Sequence, residues 1–209
     1  MMNKLKFILS MATMLFTISI ASAQYKGSDG VEIAGSPFLD DKYKDGMIHM
    51  GDKTQAAPIR YNAYQDLIEY KLNGVPMVLE PNPAITRVII ANEVFVPLNP
   101  TANAKKPGYF VLLDSGKVKL YAKKKIVYVP FRKQGKIDGT DQPAEFKKSP
   151  DTFYVQLGDG QLQEVDNMKA VVASLPDKQD ELTQYVKKEK ISPKKEKDLL
   201  QFVKYYNSL

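Results

Sequence analysis

At 209 residues, with 44% apolar and 26% charged side chains, the chain can bury one substantial core plus an appendage; wholesale disorder is excluded and two independent globular domains are disfavoured. It has no cysteine and one histidine, His49, which excludes thiol catalysis, disulfides, cysteine zinc sites and the HExxH metalloprotease motif. The formal net charge of +6 is a mild excess and points to no nucleic-acid partner.

Residues 1–23 have the layout of a cleaved signal peptide. Lys4 and Lys6 form a positive start, Phe7 to Ile20 an apolar stretch broken only by Ser and Thr, and Ala21-Ser22-Ala23 a small-residue cleavage site. The apolar stretch is shorter than the roughly 20 residues that a membrane-spanning helix needs. Cleavage is expected between Ala23 and Gln24, and no later segment has the length or apolarity to span a bilayer. Without an N-terminal cysteine there can be no lipid anchor, so the expected location is periplasmic or extracellular. The lysines at 123–125, at 147–148 and from 187 to 197 read as solvated faces and protected strand edges.

A β domain is expected over 24–165. Gln24 to Asp45 is polar, with a short strand near Val31 and Ile33 and a turn at Gly35-Ser36-Pro37, and Met47 to Met50 is a brief strand. Ala56 to Tyr61 contains Pro58, which cannot donate to a ladder and argues for an edge or strand-start position. Asp66 to Leu72 and Val75 to Leu79 flank Asn73-Gly74, the pair that a type I′ hairpin turn requires. Thr86 to Ile90 and Glu93 to Leu98 flank Ala91-Asn92, where Asn can take the left-handed conformation.

After a polar loop from Thr101 to Gly108, Tyr109 to Leu113 and Lys117 to Lys123 flank Asp114-Ser115-Gly116. Alternation puts Val118, Leu120 and Ala122 on one face and Lys117, Lys119 and Lys123 on a solvated one. Ile126 to Phe131 is apolar on both faces and reads as a buried strand; Arg132 to Pro150 reads as a long polar loop. Thr152 to Leu157, with Phe153, Val155 and Leu157 inward, and Gln161 to Val165 close the sheet around Gly158-Asp159-Gly160.

From Asp166 the apolar period changes from two to about 3.6, which predicts a helical appendage over 166–209. Met168 to Leu175 is a short helix stopped by Pro176. Asp177 can cap a second, running to about Lys190 with Leu182, Tyr185 and Val186 on one side. Ser192-Pro193 signals the start of the last, whose apolar side is Leu199, Leu200, Phe202, Val203 and Tyr206. The fold class is therefore α+β and mainly β: an antiparallel meander curved into an open or partial barrel, followed by a C-terminal helical hairpin.

Chemistry is signalled mostly by what is missing. There is no GxSxG elbow, no GxxxxGK[ST] phosphate loop and no GxGxxG turn, so no cofactor is expected. Asp41 to Asp52 matches part of an EF-hand loop, but Tyr43 stands at the third position, the final Glu is replaced by Asp52, and no helices flank it. Asp138 to Asp141 and Gly158-Asp159-Gly160 read as turns, and no metal is expected. The candidate binding residues are Arg60, Tyr61, Tyr64, Asp66, Glu69 and Tyr70, a mixture of acids and aromatics that could suit a sugar.

The block Arg60-Tyr61-Asn62-Ala63-Tyr64 with Ile68-Glu69-Tyr70 resembles a group of exported, β-rich proteins of Gram-negative envelopes with no assigned activity. Gly108-Tyr109-Phe110-Val111-Leu112-Leu113 before Gly116-Lys117, and Tyr205-Tyr206-Asn207-Ser208 after a Lys/Glu-rich helical pair, carry the same resemblance. It implies compartment and architecture alone. The expected function is a non-enzymatic, soluble envelope binding module for an envelope protein or glycan. Its alternatives are a carrier of an apolar or lipid ligand in a curved-sheet cavity, and a glycan hydrolase using Asp66 and Glu69.

Overall fold

The computed structural model describes residues 25–26, 32–133 and 141–209. The expected signal peptide, Val31 and most of the Asp138–Asp141 turn lie outside them. Within them the main sheet has ten antiparallel strands and is not closed.

Two small sheets accompany it. Strand β1 (Tyr25–Lys26) pairs with β2 (Glu32–Ile33). The main sheet then begins with β3 (Lys44–Met50), β4 (Lys53–Asn62), β5 (Leu67–Leu72) and β6 (Val75–Leu79), four strands in a meander. The chain returns to place β7 (Ile85–Ile90) against β3 and continues outward through β8 (Glu93–Leu98), β9 (Gly108–Asp114) and β10 (Val118–Lys123). Strand β11 (Ile126–Val129) leaves the sheet to pair with β12 (Glu145–Lys148). Strands β13 (Thr152–Leu157) and β14 (Gln163–Glu164) finish it, giving the order β14-β13-β10-β9-β8-β7-β3-β4-β5-β6. The architecture is thus two meanders back to back.

Turn chemistry explains the hairpins. Asn73 and Gly74 have φ of 51° and 82°, the left-handed pair of a two-residue turn, with Leu72 and Val75 directly opposed. In the β7–β8 turn it is Ala91, with φ of 52°, and not Asn92 that takes the left-handed conformation. Its N–H is bonded to the Asp45 carbonyl on the neighbouring strand, 3.0 Å away, which offsets part of the strain.

Four further expectations need correction. Strand β4 is internal, yet the β5 ladder starts only at Ile59↔Tyr70, so Pro58 sits where β4 is paired on one side. Ile126 to Phe131 is not a buried strand of the main sheet: only Ile126 is buried, while Tyr128 and Phe131 are exposed. Its partner β12 forms inside the stretch that reads as a loop. Leu157, at the end of β13, is exposed.

Helix α1 (Met168–Ser174) is capped by Asn167, whose side chain accepts the Ala170 N–H at 2.8 Å. Helix α2 (Gln179–Glu189) starts from left-handed Lys178; Asp177 instead accepts the Tyr206 hydroxyl at 3.0 Å. Ser192 does not cap α3 (Glu196–Ser208), because Ser192 to Lys195 form a turn of their own before it. Helix α3 lies on β10 and β9, and Leu199, Phe202, Val203 and Tyr206 join Val118, Leu120, Phe153 and Val155 in one buried core.

Candidate functional site

Alternation along β4 sends Ile59 and Tyr61 inward and Arg60 outward. On the outer face the Arg60 guanidinium lies 3.5 Å from the centroid of the Phe38 ring and 4.5 Å from that of Tyr43. Its Nε and Nη2 both donate to Glu69 Oε2, at 2.9 and 2.7 Å, across the Arg60↔Glu69 register, and Nη1 donates to the Asp41 carbonyl. The Tyr43 hydroxyl also donates to Glu69 Oε2 at 3.1 Å, and burial pushes that hydroxyl's pKa up. This stack pins residues 38–43 against the sheet.

Tyr61 belongs to a second cluster. Its hydroxyl donates to Asp66 Oδ1 at 2.6 Å, and its ring packs 5.0 Å from Phe95 and edge-on to Tyr109. Asp66, left-handed with φ of 59° at the end of the β4–β5 turn, also accepts the Tyr109 N–H at 3.2 Å and Lys123 Nζ at 2.6 Å. Lys123 donates again to the Tyr109 carbonyl, so it is not a solvated surface lysine. A Cβ on Gly108 would lie 2.6 Å from Asp66 Oδ2 and 2.7 Å from Lys123 Nζ, so a side chain there would have to push this ion pair aside. Burial raises the pKa of the Tyr61 and Tyr109 hydroxyls, and the Asp66 charge adds to it. Burial lowers that of Lys123, opposed by Asp66.

The predicted residues therefore do not converge on one site. Glu69 lies outside with Arg60, Asp66 sits with Tyr61, and Tyr70 packs against the core. Each carboxylate is already occupied by a cation and a tyrosine hydroxyl. Neither lines the cleft of about 210 Å³ between Lys42, Lys44, Arg60, Asn92 and Glu93, whose floor is Ile59, Tyr61 and Phe95.

Tyr64 alone of the six is exposed, at 47%, and it has company that the sequence reading missed. Its ring meets Phe146 of β12 edge-on at 5.1 Å, and Phe146 lies 5.5 Å from Tyr128, directly opposite on β11. Tyr128 is 40% exposed, and Phe131 follows it on the surface. The chain matches no protein-family model, no curated protein and no solved structure. The β11–β12 hairpin is fixed to the body by backbone bonds: Phe146 N–H to the Ala34 carbonyl, Ala34 N–H to that of Ala144, and Ile126 N–H to that of Ala63. The only sequence signal for this cluster was the aromatic at 146 between charged neighbours, too short a pattern to distinguish strand from loop.

His49 offers little chemistry. Its Nδ1 lies 3.1 Å from Thr54 Oγ1, while Nε2 is buried without a hydrogen-bond partner. Among the described residues, no three of the acids and the histidine gather as a metal site, and no helix is long and apolar enough to cross a membrane.

Proposed function

We propose that this protein is a non-enzymatic binding module of the Gram-negative envelope, exported without a lipid anchor, that grips an envelope protein or glycan with Tyr64, Phe146 and Tyr128. The observation that carries this reading is the contiguous cluster of these three rings, two of them exposed, where the β4–β5 turn meets the β11–β12 pair outside the main sheet. Rigid aromatic side chains supply large contact area at small cost in conformational entropy, and they suit either a sugar face or a protein surface. Lys148, two residues along β12 from Phe146 and so on the same face, is exposed and favours an acidic partner. The tight packing of Ile59, Tyr61, Phe95 and Tyr109 speaks for recognition on the outside and against an enclosed apolar ligand.

In-cell crosslinking followed by mass spectrometry tests the proposal with the wild-type chain and a Tyr64→Ala, Tyr128→Ala double variant. One partner, or one class of envelope glycan, should be enriched by the wild type and lost from the variant while its thermal unfolding changes little. Equal enrichment by both proteins would reject the aromatic surface.

A further inference from the structure

The edge strand β6 carries one of the usual edge protections, Pro76, but no charged residue. Val75, Met77 and Val78 are 59%, 41% and 56% exposed, Leu72 across the turn is 43% exposed, and the strand Val-Pro-Met-Val-Leu carries no charge. At the other edge, β14 has two residues, one of them Glu164, with Asp166 just beyond. Only one edge of the sheet is long and apolar.

The turn fixes which groups that edge presents. In a two-residue hairpin the flanking pair, here Leu72↔Val75, exchanges both hydrogen bonds, and bonded pairs alternate from there. Tyr70↔Met77 and Ile68↔Leu79 are then bonded pairs, whereas Lys71↔Pro76 and Glu69↔Val78 are not. The backbone groups of Pro76 and Val78 therefore point away from β5. Pro76 has no N–H to offer, so Val78 is the position within β6 that both donates and accepts outward.

We propose that β6 joins two copies of this chain, antiparallel about a two-fold axis through Val78. In that register each Val78 donates to and accepts from the other, and Pro76 falls opposite Glu80 of the second copy, where a carbonyl alone is useful. The two glutamates stay apart, and the uncharged strand meets itself without like-charge repulsion. A two-fold contact needs the same patch on both copies, which β6 supplies. Because β14 is too short to receive β6, pairing closes at a dimer and does not extend into a filament. This surface shares no residue with the aromatic cluster of the proposed function.

Sedimentation equilibrium on the protein expressed from its full sequence and purified after export should give twice the chain mass at micromolar concentration. Val78→Lys puts two ammonium groups on the axis; Val78→Pro deletes an outward N–H that the β5 ladder does not use. Both variants should sediment as monomers with the wild-type circular dichroism spectrum. If proline disturbs the strand, the lysine variant, placed at a site already open to solvent, decides the matter alone. A monomeric wild type, a dimer that survives Val78→Lys, or a dimer abolished instead by Tyr64→Ala with Tyr128→Ala would overturn the proposal.

Discussion

Asp66 shows how one side chain can hold distant parts of a sheet together. Its carboxylate receives Tyr61 from β4, the Tyr109 N–H from β9 and Lys123 from β10, the last 57 positions away in sequence. This arrangement makes the protein sensitive to alkali. Folding raises the hydroxyl pKa of Tyr61 and Tyr109, and that of Tyr154 to about 12, above the ordinary value of 10.0. Each of these tyrosines contributes stability that is complete below pH 10 and is lost as pH rises from there through the folded value. Lys123 runs the other way: its folded pKa lies below 10.5, so its contribution grows as pH climbs through that folded value, and the three tyrosines outweigh it. Urea unfolding should show stability falling above pH 10 by up to about 1.4 kcal/mol per pH unit for each of Tyr61 and Tyr109, and by less for the solvent-screened Tyr154. Tyr109→Phe should remove one share of that slope while costing about 1 kcal/mol at pH 7, because its hydroxyl bond to the Leu79 carbonyl is lost. An unchanged slope would mean that Tyr109 ionises in the folded protein as it does in water.

Among the elements, those made by local rules were legible in the sequence. The β5–β6 hairpin follows from Asn73-Gly74, and the alternation of Val118, Leu120 and Ala122 gives the buried face of β10. The β11–β12 hairpin was not legible, since its two halves are separated by a stretch with no periodicity and their pairing is decided by Ala34 and Ala63 on other elements. The helix starts failed for a related reason: Asp177 and Ser192 have the right chemistry for caps, but Tyr206 takes the first and a separate turn takes the second. The attachment of α3 could not be read at all. Asn207 accepts the Val118 N–H and donates to the Val118 carbonyl, both at 2.9 Å, so one amide replaces a missing strand partner at the start of β10. Gly116 leaves the room: a Cβ there would stand 2.4 Å from the Asn207 amide nitrogen. Asn207→Ala strips both bonds from a buried backbone and should destabilise the fold by about 2 kcal/mol. Hydrogen exchange at Val118 checks this, and should accelerate well beyond that of Ile68 on the far side of the sheet.

For the molecule as a whole, the missing information was long-range. Nothing local says that β7 turns back to β3, or that the sheet curls until the β4–β5 turn reaches β9 and β10, which brings Asp66 to Tyr109 and Lys123. The same long-range packing bears on whether the helices are an appendage or a structural necessity. Leu199, Phe202, Val203 and Tyr206 are at most 4% exposed, and they cover Val118, Leu120, Phe153 and Val155 in the one core that also contains Ile59 and Val88. Burying each such side chain stabilises by about 1.5–3 kcal/mol before the entropy of ordering the helix is subtracted, so losing all four is a large change against a typical net stability of about 5–15 kcal/mol. A chain ending at Val165 should consequently lose cooperative urea unfolding, expose the apolar face of β10 and β13, and bind a hydrophobic dye such as ANS in the absence of denaturant. The intact chain should unfold in one transition, with far-ultraviolet dichroism and tyrosine fluorescence changing together. Two separated transitions, or a truncated chain that unfolds as sharply as the intact one, would show instead that the sheet stands without its helices.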